Sequence, residues 1–402
     1  MLTADQAERD GPVPCAAALA SASRPGTVTA DIAILGGGCA GLSLASRLAV
    51  PGGPRCIVLE ARPALSNDRT WCSWDDGSLA GWGLRADATW DRWSVRHRGA
   101  WAEHVSRTQP YTCIRAESFN RTQLARVAAA GDVSVVMGYA ATAVENGDTV
   151  VPADPDLPVV RARHIVDTRP PRPLPGILLQ HFVGWETETD RAAFDPTRVT
   201  LMDFDVDQSD GLQFLYVLPY SETRALVEAT VLSTSVWPQA AYDFVLTRYL
   251  QSRFGLTEGD RTILRRETGV LPMGPTQPVA NAGTIRIGSA GGALRMSSGY
   301  GFHFIQRQAD VVAESLLGSG DRPPAVPTRG WLTRWMDRVF LEAVQRRPDQ
   351  APIYFRRMLT GAGADVFARF MMDRASLADA ATVVASLPKM PFMRSAWRTA
   401  LA

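Results

Sequence analysis

Residues 31–60, DIAILGGGCAGLSLASRLAVPGGPRCIVLE, decide the fold. An apolar run, Ile32 to Leu35, leads into a glycine turn, a stretch suited to a helix, and a second apolar run at 57–59 closed by Glu60. Gly36, Gly38 and Gly41 stand at GxGxxG spacing directly after the first run. In such a unit the first glycine permits the sharp turn, and the second lets backbone amides approach a pyrophosphate. The third packs the helix on the strand, so that the helix start faces the anion. Glu60 follows Gly41 by nineteen residues, where an acid can accept hydrogen bonds from an adenosine ribose. The expectation is a strand, turn, helix and strand with a dinucleotide at the turn. Cys39, inside the loop, reads as a small filler rather than a reactive thiol.

Working outward, residues 66–101 contain six tryptophans, Trp71, Trp74, Trp82, Trp90, Trp93 and Trp101, at no sustained helical or strand period. They could line a hydrophobic ligand pocket, although large residues more often pack cores. Residues 118–130 predict an amphipathic helix and 133–136 a short strand. RARHIVD at 161–167 predicts a strand that stops at Thr168-Arg169-Pro170-Pro171, where the chain leaves a nucleotide domain. Short strands follow at 199–206, 213–218 and 225–232, divided by Asp210-Gly211 and by 219–223, as in an antiparallel sheet. In the third, alternation puts Ala225, Val227, Ala229 and Val231 on one face and Leu226, Glu228 and Thr230 on the other. A carboxylate in the middle of such a strand is costly to bury unless paired or protonated, so Glu228 is either exposed at a rim or functional.

A second glycine region, TIRIG followed by SAGGALRMSSGYGF, runs into a helix expected at 304–317. It presents a second set of free amides, so two such regions favour FAD over a nicotinamide cofactor. Gly288, Gly291 and Gly292 are its candidate contacts. Residues 331–402 predict helices that mix arginines with large apolar residues; these could cap a core or lie on an anionic membrane. The expected organisation is α/β: a leader at 1–29, a Rossmann-type FAD-binding domain at 30–170 and 280–320, an antiparallel-sheet substrate domain at 171–279, and a helical C-terminal region at 321–402.

A formal charge of +1 over 402 residues offers no long-range attraction for nucleic acid. Five cysteines with no CxxC pair suggest neither a disulfide framework nor a zinc site, and the five histidines show no ligand spacing, so no metal is expected. These features fit a reducing cytosol. No apolar run approaches the roughly 20 residues that span a bilayer, so membrane contact is expected to be peripheral.

With these residues in view the chain resembles the FAD-dependent bacterial lycopene cyclases, which form the β-ionone rings of carotenoids. The likeness rests on GGGCAG with Glu60, NDRTW at 67–71, LVEAT at 226–230, IGSAGG and SSGYGF at 287–302, and DRASLADAATVVASLPKMPFMRSAW near the C-terminus. The resemblance implies a two-domain flavoprotein that uses reduced FAD, with NADPH as electron donor, in a reaction of no net redox change. A polyene end group is protonated, cyclises as a carbocation and loses a proton. The strand glutamate of the family's acidic motif matches Glu228, the candidate acid. Arg69, Trp71, Ser298, Gly299 and Tyr300 are candidates for the flavin or substrate pocket. A substrate of this kind resides in lipid, which implies a cytoplasmic protein held at the inner face of the membrane. Two positions depart from the family pattern. Ala229 replaces a second acid after the glutamate, and Arg295-Met296 stands where a proline is usual. Cyclisation of another polyprenyl chain, a meroterpenoid or sesterterpenoid precursor, is an alternative. So are a flavin monooxygenase, a prenyl reductase, and a nonenzymatic flavin-binding protein seated on membrane.

Overall fold

The computed structural model describes residues 26–209, 211–277, 283–318 and 324–401. In chain order, β1 (Thr27–Leu35), α1 (Cys39–Leu48) and β2 (Cys56–Glu60) form the opening unit. Next come β3 (Thr70–Trp74), α2 (Ser78–Gly81), β4 (Ala88–Trp90), β5 (Arg92–His97), β6 (Ala100–Val105) and β7 (Tyr111–Arg115). Then α3 (Ala116–Ala130), β8 (Val133–Met137), β9 (Ala141–Glu145), β10 (Thr149–Pro152) and β11 (Val159–Asp167) follow. The central part contains β12 (Leu179–Thr189), β13 (Arg198–Asp203), β14 (Leu212–Pro219), β15 (Arg224–Ser233), α4 (Gln239–Phe254) and β16 (Arg261–Pro272). The last part contains β17 (Ile285–Arg286), α5 (Phe302–Leu317), α6 (Trp331–Arg346), α7 (Ala351–Ala362), α8 (Ala364–Met371), α9 (Leu377–Ser386) and α10 (Lys389–Leu401).

The first sheet runs β8-β2-β1-β11 in parallel and continues antiparallel through β10 and β9, while β17 adds parallel to the end of β11. Its strands are apolar on both faces because both are covered. Ile32, Ile34 and Val58 pack with α1, α3 and α5, and Ala33, Leu35, Ile57 and Leu59 pack on the opposite side with Tyr139, Val150 and Val160. Residues 1–25 of the expected leader, and Asp210 of an expected turn, lie outside the described residues. Thr27, Val28 and Thr29 do not belong to a leader: they pair with Val159, Val160 and Arg161, giving β11 a partner along its whole length.

The second sheet, in the order β16-β12-β15-β14-β13-β5-β6, corrects two expectations. β5 and β6 come from the segment assigned to the nucleotide domain, and β5 pairs with β13 in parallel, so the sheet is mixed rather than purely antiparallel. Alternation in β5 buries Trp93 and Val95 against Val199 and Leu201, which rewards that edge pairing. One face of this sheet lies under α4, where Val183, Val217, Val227, Ala229 and Val231 meet Tyr242, Leu246 and Leu250. The other face meets the small β3-β7-β4 sheet and the C-terminal helices, with Phe355 of α7 stacked on Phe204 and Phe367 of α8 edge-on to Trp74. Trp74, Trp90 and Trp93 are thus core residues, and Trp101 stacks beneath Arg96, Arg198 and Arg253.

Arg295, the departure in the second glycine region, is wholly buried. It donates to Asp337 of α6 at 3.0 Å and to the Phe370 carbonyl, and lies 4.0 Å from the centre of the Phe370 ring. Breaking such a pair from one side typically costs about 3–5 kcal/mol, so this arginine fixes the glycine loop to the C-terminal helices.

Candidate active site

The glycine turn has the geometry that its spacing predicts. Gly36 adopts φ +101°, open to glycine alone without strain. A Cβ at Gly41 would fall 1.9 Å from the Gly36 carbonyl oxygen, so any side chain would prise α1 off the turn. A Cβ at Gly38 would meet nothing within 4 Å, and no side chain caps the start of α1. Open space therefore stands where the helix N–H groups emerge. Glu60 ends β2 beside this turn, accepting from the Gly37 N–H at 2.6 Å and from the Arg62 N–H and guanidinium at 2.8 and 2.9 Å. Burial opposes its ionisation, but these bonds outweigh burial and hold the carboxyl below its usual range. Glu60 thus braces the turn, and a ribose would take over acceptor sites that half-exposed Arg62 occupies.

The two glycine regions converge. Gly288 donates to Gln308 Oε1 at 2.9 Å, and a Cβ on it would lie 2.7 Å from Ala40 Cβ at the start of α1. Gly291 and Gly292 complete the turn with N–H bonds to the Gly288 and Ser289 carbonyls at 3.0 and 3.2 Å. The loop then crosses to the second sheet: a Cβ on Gly299 would meet Leu271 Cδ1 at 2.7 Å. Ser298 Oγ is enclosed with no hydrogen-bond partner among the described residues. An open helix start, an abutting second turn and an unpartnered hydroxyl further along the loop fit an elongated dinucleotide.

Tyr300, at the end of this loop, bonds Tyr111 Oη at 2.5 Å, which bonds Tyr216 Oη at 2.9 Å. Tyr216 lies directly opposite Glu228 in the β14–β15 ladder, and the Tyr300 ring is 5.4 Å from that of Trp74. The second glycine loop thereby ends beside the strand that carries the candidate acid. Glu228 is 8% exposed, not at a rim, and accepts from Thr230 Oγ1 at 2.7 Å. Burial, reinforced by the charge of Glu267 and only partly offset by Thr230 and Arg265, pushes its carboxyl up to about 8. Such a group is neutral at physiological pH and can donate a proton.

The sequence reading gave no role to the charged cluster beside Glu228. Glu186 on β12 is fully buried and takes Arg115 at 2.6 Å, Arg224 at 2.8 Å and Arg265 at 2.9 Å. Burial opposes ionisation of Glu186, yet the three guanidiniums hold it below its usual range. Arg265 also donates to Glu267 at 2.5 Å and to the Asn67 carbonyl at 3.3 Å. In NDRTW it is Thr70 that reaches the site, donating to Glu267 at 2.7 Å. Arg69 is half-exposed and turns to the Asp68 carbonyl, while Trp71 packs edge-on to Phe119 at 4.9 Å near Phe302. The signal for Glu267 in sequence is slight, a carboxylate in the polar run RRETG between the apolar pairs Ile263-Leu264 and Val270-Leu271; its partners are visible only in three dimensions. Among the described residues no cluster of histidine, cysteine, aspartate or glutamate could hold a metal ion. A cleft of about 680 Å³ lies to one side, between Trp82, Phe304, Arg307 and Met372, and shares His303 and Met372 with a narrow crevice that reaches Trp74 and Tyr300.

A family model described as lycopene cyclase protein matches residues 31–397. The chain belongs to the lycopene cyclase family. A lycopene beta-cyclase of Paracoccus sp. (strain N81106 / MBIC 01143) is 31% identical over 238 residues, which are 53% of this chain and 57% of that protein. The chain spans less than two thirds of the length of the curated relatives it matches. Among solved structures, a geranylgeranyl bacteriochlorophyll reductase-like protein from Thermoplasma acidophilum aligns with a TM-score of 0.62 at 15% identity, over 92% of this chain and 99% of that one. A probable FAD-dependent monooxygenase from Pseudomonas aeruginosa aligns at 0.51 and 17% identity, over 88% of this chain and 99% of that one. At these identities the likeness is one of fold: a two-domain α/β flavoprotein scaffold with a helical C-terminal region.

Proposed function

We propose that this member of the lycopene cyclase family is an FAD-dependent lycopene beta-cyclase, with Glu228 as the acid that starts ring formation. The observation that carries the reading is a carboxyl buried on β15, bonded only by Thr230 among the described residues and opposite Tyr216, whose hydroxyl is linked through Tyr111 to Tyr300 at the end of the glycine loop. Protonating an alkene needs such an acid. Glu228 gives its proton to the end-group double bond; the cation closes the ring by forming a carbon–carbon bond. The ring carbon then loses a proton, which restores Glu228, so substrate and product have the same mass. The aromatic faces of Trp74, Tyr111 and Tyr300 would exclude water and favour a passing cation.

The turn at Gly36, Gly38 and Gly41 would hold the pyrophosphate of FAD, the loop from Gly288 to Tyr300 its flavin end, and Arg62 with Glu60 the adenosine side. When bound and reduced by NADPH, FAD supplies negative charge near the forming cation. Membrane contact would run through the C-terminal helices, where Met390, Met393, Trp397 and Leu401 form an exposed apolar stripe at helical spacing on α10. Leu377 and Val384 on α9 and Trp331 on α6 are exposed as well. No helix among the described residues is long and apolar enough to cross a membrane. On this reading the protein would sit at the cytoplasmic face and draw its polyene from lipid.

Anaerobic incubation with FAD, NADPH and lycopene in liposomes, beside Glu228→Gln, tests this. An isomeric product of blue-shifted absorption, lost by at least about a hundredfold in the variant, is the expected result. No conversion of lycopene by a protein with reducible FAD would overturn lycopene as substrate and favour another polyprenyl chain. A product heavier by hydrogen or oxygen would identify a reductase or a monooxygenase.

A further inference from the structure

Glu267 is a second buried carboxyl, 5% exposed, on the sheet face that carries Glu228. The register pairs Gly184 with Glu228 on one side and with Glu267 on the other, so the three residues form one row across β15, β12 and β16. Residues opposite one another in neighbouring strands share a face. Because the middle residue is glycine, it puts no side chain of its own between the two acids, and Leu226 Cδ1 comes to 3.1 Å of the place its Cβ would take. A Cβ at Gly184 would lie 3.1 Å from Glu267 Cγ and 3.6 Å from Glu228 Cβ.

The two carboxyls are supported differently. Glu267 receives Arg265 at 2.5 Å and Thr70 at 2.7 Å, and Arg265 is itself steadied by Thr70 at 2.8 Å and by Glu186. Glu228 receives the Thr230 hydroxyl alone among the described residues. Burial raises the Glu267 carboxyl above its usual range as well, but Arg265 and Thr70 oppose that rise, so of the two Glu267 ionises first and the proton stays on Glu228. Ala229, beside Glu228 in the strand, points to the α4 face and is buried there. An acid at that position could not reach this row.

We propose that Glu267 is a positioning residue, an anchored anion across Gly184 that keeps Glu228 in its protonated, proton-donating form. The inference rests on the reading of Glu228 as the acid. Two carboxyls sharing a dry site cannot both ionise cheaply. The charged and titratable groups that face the Glu228–Glu267 pair include Arg265 of β16, Glu186 of β12, Tyr216 of β14, Tyr220 just after it, Tyr300 of the loop, Cys72 of β3 and Arg69 before it. Glu186 gathers the charges of Arg115 and Arg224, and burial pushes Tyr216, Tyr300 and Cys72 well above their ordinary ranges, so these three stay neutral. The Thr230 hydrogen bond and the charge of Arg265 oppose the effect of Glu267 on Glu228, and the charge of Arg265 is shared between Glu186 and Glu267.

The test uses the FAD-loaded protein with Glu267→Gln, Glu267→Met, Glu267→Asp and Glu228→Gln. An infrared pH titration follows the protonated-carboxyl band that Glu228→Gln abolishes; it needs no substrate. The pH profile of lycopene cyclisation is recorded alongside. In the wild type the band and the activity should fade together as pH rises through about 8. Either neutral replacement should move both to lower pH by about one unit or more, a roughly tenfold loss of protonated Glu228 on the alkaline side, and Glu267→Asp should restore most of it. A folded, flavin-loaded Glu267→Gln or Glu267→Met that titrates like the wild type overturns the proposal, whatever its activity. So does a wild type whose Glu228 band is gone by about pH 6, well below the usual range of a carboxyl raised this way. If the band shifts as expected but the wild type forms no cyclic product, the carboxyl pair stands and the assigned activity falls.

Discussion

Replacing Glu228 by glutamine should change how the stability of this protein depends on pH, before any substrate is considered. In the unfolded chain the carboxyl titrates near 4.5, and in the folded protein burial and the neighbouring Glu267 hold it near 8. Between these values the native state keeps a proton that the unfolded state releases, so stability falls as pH rises. Below pH 4.5 both states are protonated and nothing is lost; the loss accumulates through the interval and is complete near pH 8. A full proton difference is about 1.36 kcal/mol per pH unit, so the interval corresponds to on the order of 5 kcal/mol. Glutamine keeps the size and the Thr230 contact but cannot ionise. Urea unfolding of the wild type and Glu228→Gln at pH 5, 6.5 and 8 should therefore show the variant gaining on the wild type, by several kcal/mol between the extremes. Two proteins whose stabilities run parallel to within about 0.5 kcal/mol across that range would mean that Glu228 ionises as an ordinary carboxylate. The acid assigned here would then be charged at neutral pH and unable to protonate an alkene.

Two further perturbations separate folding from binding. Gly41→Ala places a Cβ against the Gly36 carbonyl and should cost several kcal/mol as well as flavin, whereas Gly38→Ala enters open space at an ordinary backbone conformation. Thermal melting should leave Gly38→Ala within about 0.5 kcal/mol of the wild type while FAD titration shows at least a tenfold loss of affinity; equal affinity would remove Gly38 from the pyrophosphate site. On the C-terminal face, Met393→Ser with Trp397→Ser should weaken flotation with anionic liposomes without altering the melting temperature, since both side chains are exposed. Unchanged flotation would place membrane contact elsewhere.

The parallel-sheet half of the fold was legible because its constraints are local. A glycine turn between an apolar strand and a helix leaves few alternatives, and Gly36, Gly41 and Glu60 occupy the places that their spacing assigned. Glu228 was legible for a related reason: alternation alone separates it from Ala225, Val227, Ala229 and Val231 and leaves a carboxyl on a buried strand. The sequence also carried enough of the family's motifs to place the chain among the lycopene cyclases.

What the sequence could not decide were the pairings between distant segments. β5 and β6 joined the second sheet because a strand edge in need of partners accepts any segment of matching pattern, and sequence order does not reveal which. Arg295 and Asp337, 42 positions apart, became a buried pair only once α6 packed on the glycine loop. Glu267 acquired meaning the same way. Its neighbours Thr70, Gly184, Arg265 and Glu228 come from four strands, and only their register brings two carboxyls to one face, where burial makes their charges felt. Local pattern thus determined the scaffold and picked out the candidate acid, while the tertiary structure alone decided which charges and hydrogen bonds surround that carboxyl.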